Sequence, residues 1–303
     1  LLSTICSALR GSRVIYDLTL GCGGHTEALL RQNSKCVVRA FDRDPEQQAT
    51  AERLRRAFGA ERFSFQNSRW SALPLTGVTA EADAVVIDCG LCSTQIDVSH
   101  RGFSFKAPED ELDMRMDGGS DRPAAAQLLN TLSAEQLAEI FVSLGGETLT
   151  RAKALADAIE NERHKQPFRK VGPFVKLVRS VRKGLIPKQL DPCTLPFQGL
   201  RMAVNDECAE LRHGLHFAQS VLKKDGLLIV VSFQSVEDRI VKKFLQLTGV
   251  KSERPAFVAQ KEHIRPSEEE IAQNPRASSA TMRIAVRTDA PAIDVRQKLD
   301  ELS

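Results

Sequence analysis

The stretch Val14–His25, VIYDLTLGCGGH, decides how this chain is read. Apolar and β-branched residues run into Gly21, and His25 to Gln32 then has the pattern of a helix, so the segment is strand, glycine loop, helix. The alternation continues outward. Val37–Asp42 is a short apolar run ending in an acid, Pro45 suits a helix start, and Glu46 to Phe58 is helix-forming. Arg62–Gln66 is a third candidate strand, and Asp83–Asp88, ending at Gly90, is a fourth. Strands alternating with helices at this spacing predict βαβ units and a doubly wound, mostly parallel α/β sheet.

The next clear strand is Leu227–Phe233, after a helical pattern from Leu200 to Leu222 and a turn at Asp225-Gly226. About 110 residues separate the fourth strand from that helix, far more than a crossover needs. Residues 100–200 are therefore expected to be an insertion. Helices are predicted there at Ala124–Leu129, Ala134–Leu144 and Thr150–Arg163, with Pro167, Gly172-Pro173, Pro187, Pro192 and Pro196 breaking up the rest. The predicted domains are 1–99 joined to 201–303, and an inserted 100–200. Ser232–Leu247 gives one more helix, and Met282–Thr288 alternates like a closing strand.

Glycines in a loop between strand and helix let a ligand approach the backbone, where the helix offers unpaired N–H groups. The dinucleotide fingerprint fails because Thr26 stands at its last glycine. Asp42, 19 residues after Gly23, is placed to accept from a ribose diol. Together these features suit an adenosine ligand without a pyrophosphate. S-adenosylmethionine is the leading candidate, with NAD or a ligand-free structural turn as alternatives. Asp17, Asp42 and Asp88 are all expected to project into one crevice at the strand ends.

Cys89 and Cys92 form a C-x-x-C with no second pair for zinc, and are read as buried structural cysteines. Seven irregularly spaced cysteines in 303 residues argue against a disulfide framework and for a reducing compartment. The 42 % apolar and 27 % charged fractions exclude general disorder, and no apolar run approaches the ~20 residues of a membrane span. The net charge of +3 implies no polyanion partner by itself. The distribution matters more: Arg163 to Leu190 holds nine Lys or Arg and no acid, Lys176, Arg179, Arg182 and Lys183 among them, a run that is usually a solvated face but whose place in the insertion shifts the reading towards phosphate contact. Arg101–Phe105 (RGFSF) and Leu112–Asp117 (LDMRMD) interleave aromatics, methionines and charges and are read as the wall of a site.

These segments, with Gly23-Gly24-His25 and Asp42-Arg-Asp44, resemble the small-subunit rRNA cytosine-N4 methyltransferase family, RsmH, also called MraW. Phe197–Arg201, Val204-Asn205, Ser232–Val241 and Asn274-Pro-Arg276 extend the likeness in order over about residues 1–287. The resemblance implies a class I methyltransferase fold with an inserted helical domain, S-adenosylmethionine as cofactor, and a cytosine of small-subunit rRNA, unstacked from its neighbours, as target. The partners implied are the small ribosomal subunit or its assembly intermediate, with other assembly factors beside it, and no membrane. Its cofactor contacts fall on Gly23, Gly24, His25, Asp42, Asp88 and Gln95, with Trp70 either packing on adenine or half-buried in the core. Asp88, Asp113 and Asn205 are the candidate acceptors for the proton that N4 loses.

Leu144 and Gln234 stand where the family usually has Tyr and His, and Ser278 closes a shortened Asn-Pro-Arg motif. The Thr-Arg-Thr stretch of the insertion is not recognisable near Phe168-Arg-Lys170. These departures lie on the substrate side, which raises a second reading: a small-subunit assembly factor that keeps the fold with little or no turnover. A small-molecule methyltransferase fits poorly with the basic insertion. Residue 1 is Leu rather than Met, from which a missing natural start and room for an upstream transit peptide are expected. The compartment expected is a mitochondrion ahead of a bacterial cytoplasm.

Overall fold

A computed structural model describes residues 1–75, 77–97, 100–119, 121–182 and 191–300. The chain runs through α1 (Leu2–Ala8), β1 (Val14–Asp17), α2 (Gly24–Gln32), β2 (Val37–Asp42), α3 (Gln48–Phe58), β3 (Phe63–Asn67) and β4 (Ala82–Asp88). It continues with α4 (Ser93–Asp97), α5 (Ala125–Thr131), α6 (Ala134–Ser143), α7 (Leu149–Arg163), α8 (Val171–Val181) and α9 (Thr194–Asn205). It ends with α10 (Glu207–Val221), β5 (Leu222–Ser232), α11 (Ser235–Thr248), β6 (Phe257–Ala259), α12 (Glu268–Gln273), β7 (Thr281–Arg287) and α13 (Arg296–Asp300). Two compact units result, Leu1–Gly90 with Cys208–Ser303, and Leu91–Glu207.

The first unit is one sheet of order β3-β2-β1-β4-β5-β7-β6. β1 to β5 pair in parallel, while β7 runs antiparallel to β5 and β6. This is the mostly parallel, doubly wound sheet of a class I methyltransferase fold. Side chains alternate across each strand, so the sheet feeds two cores. Tyr16, Phe41, Val85, Ile87, Leu228 and Val230 pack with Leu215, Phe244 and Leu299 of α10, α11 and α13. Ile15, Val38, Ala84, Val86, Ile229 and Val231 pack on the other face with Ile5, Leu30 and Leu54 of α1, α2 and α3. α1 and β6 escaped the sequence reading. β6 is three residues long at the sheet's edge, too short to show a period.

The second unit is helical around its own core, in which Phe141, Leu155, Phe174 and Leu200 are fully buried. Leu91 and Val204 pack in that core, and the unit accordingly begins before residue 100 and ends beyond residue 200. Two sequence readings need correction here. Gly172-Pro173 reads as a break, yet both lie in the first turn of α8. The N–H that proline lacks is unused at that position in any helix. The single helix expected over Leu200–Leu222 is α9 and α10, parted at Asp206, whose φ of +51° is left-handed. Aspartate tolerates that conformation better than most residues, so neither glycine nor proline marks the joint.

The Arg182–Glu147 ion pair lies inside this unit, with the two residues only 2 % and 5 % exposed. The Arg182 guanidinium also donates to the Pro192 carbonyl. Among the described residues of the whole chain, no helix is long and apolar enough to cross a membrane. Removing one member of a buried pair strands the other charge. Arg182→Leu should therefore lower the unfolding free energy by about 3–5 kcal/mol, read as a lower urea midpoint. The double change Arg182→Met with Glu147→Leu should recover most of that loss. A double variant as unstable as the single one would show that packing, not the stranded charge, sets the cost.

Candidate functional site

β1 and β4 are neighbours in the sheet, but the chain leaves β1 towards β2 and β3 and re-enters at β4 on the other side. Such a switch point leaves a crevice at the carboxyl ends of the two strands. The Gly21–Gly24 loop follows β1 there, and Asp88 closes β4.

Asp17 does not project into the crevice as expected from sequence. It is 1 % exposed and turned inward. Its Oδ2 accepts from the Thr26 hydroxyl at 2.6 Å, and its Oδ1 accepts from the Thr19 amide at 3.1 Å. The Thr19 hydroxyl in turn accepts from the Asp88 amide at 2.8 Å. One buried carboxylate thus fixes the loop after β1, the start of α2 and, through Thr19, the end of β4. The sequence reading treated Thr26 only as the residue that spoils a dinucleotide fingerprint, and nothing local in the sequence marks its partner.

Gly23 has φ +80°, and a Cβ there would stand 3.0 Å from both Leu54 Cδ1 and Thr50 Cγ2, so only glycine suits it. No described atom lies within 4 Å of a Cβ built on Gly24, so its backbone faces open space. Asp42, half-buried at the end of β2, accepts from the Gly21 amide on Oδ2 and from the Asp44 amide on Oδ1, both at 2.9 Å. Each oxygen keeps a further lone pair for a donor. Burial raises its pKa to about 6 against the pull of those amides, with help from Asp44 and Asp17.

Asp88 is the unfinished residue of this loop cluster. Its Oδ1 is buried and has no hydrogen-bond partner. Its Oδ2 stands 3.7 Å from His25 Nδ1, on side chains 30 % and 21 % exposed. Burial pushes its pKa to about 6, Asp17 adds to the rise, and His25 opposes it. A buried acceptor without a donor is costly, and such a site calls for a ligand that donates. These features fit the adenosine-type cofactor expected from sequence: open glycine backbone and two carboxylates in want of donors.

Trp70 is half-buried and packs against the sheet's core. Its Nε1 donates to the Leu18 carbonyl at 2.8 Å, and a Cβ on Gly214 of α10 would come within 3.0 Å of the ring. Gln95 belongs to the second unit, where it is buried and accepts from the Cys92 amide at 3.0 Å.

Asp113 and Asn205 also belong to the second unit, and both are committed to holding structure. Asn205 is buried and accepts from the Met116 amide at 2.9 Å while donating to the Met114 and Arg201 carbonyls at 2.7 and 2.9 Å. Met114 has a left-handed φ of +61°, a strained setting for a side chain, and Asn205 holds the backbone that follows it, at the Met114 carbonyl and the Met116 amide. Burial would raise Asp113, but Arg115, bonded to it at 2.6 and 2.9 Å, holds its carboxyl below the usual range.

The RGFSF and LDMRMD segments are zipped together by Met114 N–H on the Arg101 carbonyl at 2.8 Å. Gly102 permits that approach, since a Cβ there would meet the Glu111 carbonyl at 2.3 Å. Phe103, Leu112, Met114 and Met116 are buried in the unit's core, so their apolar members are not the exposed site wall read from sequence.

The basic run divides. Lys176 is exposed, and so is Arg179, which reaches Asp191 at 3.3 Å. Arg182 is buried against Glu147 and corrects its expected role, because its charge is already spent inside the fold. Lys183 lies outside the described residues. Of the departures from the family pattern, Gln234 precedes α11, where its amide and that of Phe233 are held by Glu237 at 3.0 and 2.8 Å. Leu144 ends α6, half-buried, and Ser278 is exposed. All seven cysteines are free thiols, Cys89 buried and Cys92 half-buried, and no group of His, Cys, Asp and Glu suited to a metal occurs among the described residues.

Residues 1–288 match the profile of the MraW methylase family. The protein named Ribosomal RNA small subunit methyltransferase H of Chelativorans sp. strain BNC1 is 40 % identical, over 96 % of this chain and 87 % of its own length. Its namesake from Caulobacter vibrioides is 39 % identical over 92 % and 90 %, and that of Methylobacterium sp. strain 4-46 is 39 % identical over 96 % and 91 %. These relatives are bacterial and lend nothing to a mitochondrial preference. A match that spans the glycine loop, the RGFSF and LDMRMD segments and the closing strand is a match of the whole fold: this chain belongs to the MraW methylase family.

Proposed function

We propose that this chain transfers a methyl group from S-adenosylmethionine to N4 of a cytosine in small-subunit ribosomal RNA. The observation that carries the reading is the family match over residues 1–288. The glycine loop, with Asp42 and Asp88 on either side of it in the sheet, gives it a physical basis. The sulfonium of the cofactor supplies a methyl group already activated for transfer. Gly23 and Gly24 give backbone access, Asp42 accepts from the ribose hydroxyls, and His25 and Asp88 complete the cofactor's surroundings on this unit.

Cytosine N4 is a weak nucleophile because its lone pair is shared with the ring. The protein's work is then mainly alignment of nitrogen, methyl carbon and sulfur, plus an acceptor for the proton that N4 loses. Of the three acceptors considered from sequence, Asn205 is filled by backbone partners and Asp113 is held by Arg115. Asp88 keeps an oxygen without a partner, and we assign it the proton. The exposed Lys176 and Arg179 of α8 are the assigned phosphate contacts. The setting is a small ribosomal subunit or its assembly intermediate, with other assembly factors as neighbours, in a bacterial cytoplasm or a mitochondrion.

Three measurements test this reading. First, purified protein with labelled S-adenosylmethionine should place methyl on N4 of a cytosine in small-subunit rRNA, and a folded, cofactor-binding Asp88→Asn variant should lose at least a hundredfold in rate. Wild-type protein that binds cofactor and small subunits but leaves every cytosine unmodified would favour the assembly-factor reading, to which Leu144, Gln234 and Ser278 point.

Second, burial raises the pKa of Asp42 to about 6, and ribose hydroxyls are held by its ionised form. Cofactor affinity should be flat above pH 6 and fall by about tenfold for each pH unit below it, as the bound proton must first be expelled. Calorimetry on Asp42→Asn should show affinity about tenfold to a hundredfold weaker, from the loss of ~1.5–3 kcal/mol of charge-assisted bonding, with a shallower dependence on pH below 6.

Third, Lys176→Gln with Arg179→Gln should reduce the salt slope of RNA affinity by ~0.7–0.9 log units per contact, with cofactor affinity unmoved. An unchanged slope would mark these residues as solvated surface.

A further inference from the structure

The charges of α11 are sorted by sign. Both of its acids are used inside the first unit. Glu237 is 3 % exposed and accepts from the Phe233 and Gln234 amides at 2.8 and 3.0 Å. Asp238 holds the Arg283 guanidinium on its two oxygens, at 2.7 and 3.0 Å. It also stands four residues before Lys242, the spacing at which a helical acid and base can pair, yet its carboxylate is taken by β7. The three bases of the helix are Arg239, Lys242 and Lys243, and their side chains make no ion pair or hydrogen bond among the described residues.

Arg239, Lys242, Lys243 and Gln246 follow one another at helical spacing and share one face with Ser235. Lys243 is half-buried and the other four are exposed, while Ile240, Val241, Phe244 and Leu245 are buried in the core beneath the sheet. The outward stripe therefore holds three positive charges, two neutral polar groups, no acid and no apolar side chain. The helix gains nothing from these charges. None lies in its last turn, where the macrodipole would favour a cation, and Arg239 repels Lys243 four residues on. On α2 and α3, by contrast, Arg31 and Arg53 pair with Glu27, and Arg56 pairs with Glu52.

We propose that Arg239, Lys242 and Lys243 form a phosphate-binding surface on the first unit, and that the backbone of the substrate RNA is its ligand. The inference rests on the rRNA reading above. Val231 of β5 lies level with Asp88 of β4, so α11, which starts at Ser235, begins at the crevice end of the sheet. An RNA that presents a cytosine to Asp88 brings its neighbouring phosphates to that end. Phosphates need only charge: Lys and Arg that neutralise them release counterions, whatever the base sequence. Such contacts orient the strand and leave the choice of base to the crevice. An acidic protein or a lipid surface fits less well, because the stripe offers no apolar or aromatic anchor.

The test is the salt dependence of affinity for small-subunit rRNA, measured without cofactor on three proteins. They are the wild type, a variant with Arg239→Gln, Lys242→Gln and Lys243→Gln, and a control with Arg10→Gln, Lys35→Gln and Arg55→Gln. The control loses the same charge from exposed positions on α3 and just after α1 and α2, the helices of the opposite sheet face. The α11 variant should lose ~0.7–0.9 log units of salt slope per contact, about two to three in all, with S-adenosylmethionine affinity unchanged by calorimetry. The control should lose less than about a third of that, since charges across the sheet are screened from the bound strand.

An unchanged slope, or an equal loss in the control, would make the stripe solvated surface and overturn the proposal. So would a loss of affinity for polyglutamate with none for rRNA, which would assign the stripe to an acidic protein. Wild-type protein that methylates rRNA while the α11 variant keeps its slope sinks this inference alone. Wild-type protein with no salt-dependent affinity for rRNA sinks the rRNA reading and this inference with it. Should the triple variant not fold, Arg239→Gln with Lys242→Gln, both at exposed positions, carries the same comparison with about two-thirds of the effect.

Discussion

The site depends on the buried Asp17 carboxylate and the two threonines it holds. A carboxylate that is 1 % exposed is expensive unless its oxygens find donors, and here the donors are the Thr26 hydroxyl and the Thr19 amide. That requirement fixes geometry. Thr26 can reach Asp17 only if α2 starts directly after a tight loop, and Gly23 with its left-handed φ makes that start possible. Thr19 then meets the amide of Asp88 across the strand pair β1–β4. Loop, helix start and the end of a second strand are set by one buried group.

Much of the first unit was legible in the sequence because its signals are local. Val37–Asp42 and Ala82–Asp88 are short apolar runs closed by an acid, and the helices between them carry an apolar stripe. The inserted helical unit showed itself as a gap too long for a crossover. What stayed hidden depended on partners far along the chain. The α9–α10 joint at Asp206 has no breaker residue, and Gly172-Pro173 looks like one although it starts a helix. β6 is a strand because β7 pairs with it, not because of its own three residues.

The candidate site was legible by residue type and less so by role. Asp17, Asn205 and Arg182 are polar residues that the sequence singles out, and each is spent on structure. Asn205 holds a strained Met114 backbone, and Arg182 is matched to Glu147. A sequence displays the chemistry a side chain can perform, but not whether its donors and acceptors are already occupied. Asp42 and Asp88 remain because their environments leave capacity: further lone pairs on one, an oxygen without a partner on the other.

That spare capacity has a thermodynamic sign. Both carboxylates are raised to about 6 in the fold, above the ordinary range of an unfolded aspartate. Between roughly pH 4 and 6 the folded chain therefore binds more protons at these positions than the unfolded chain does, so their contribution to stability falls as pH rises through that window. Above it both are ionised and short of donors, and the fold carries the full cost. A ligand that brings hydroxyl or amine donors relieves the cost, and its binding is linked to loss of these protons. Asp17, buried and bonded to Thr26 and Thr19, in turn holds the loop and the strand end on which that linkage between donors and protons depends.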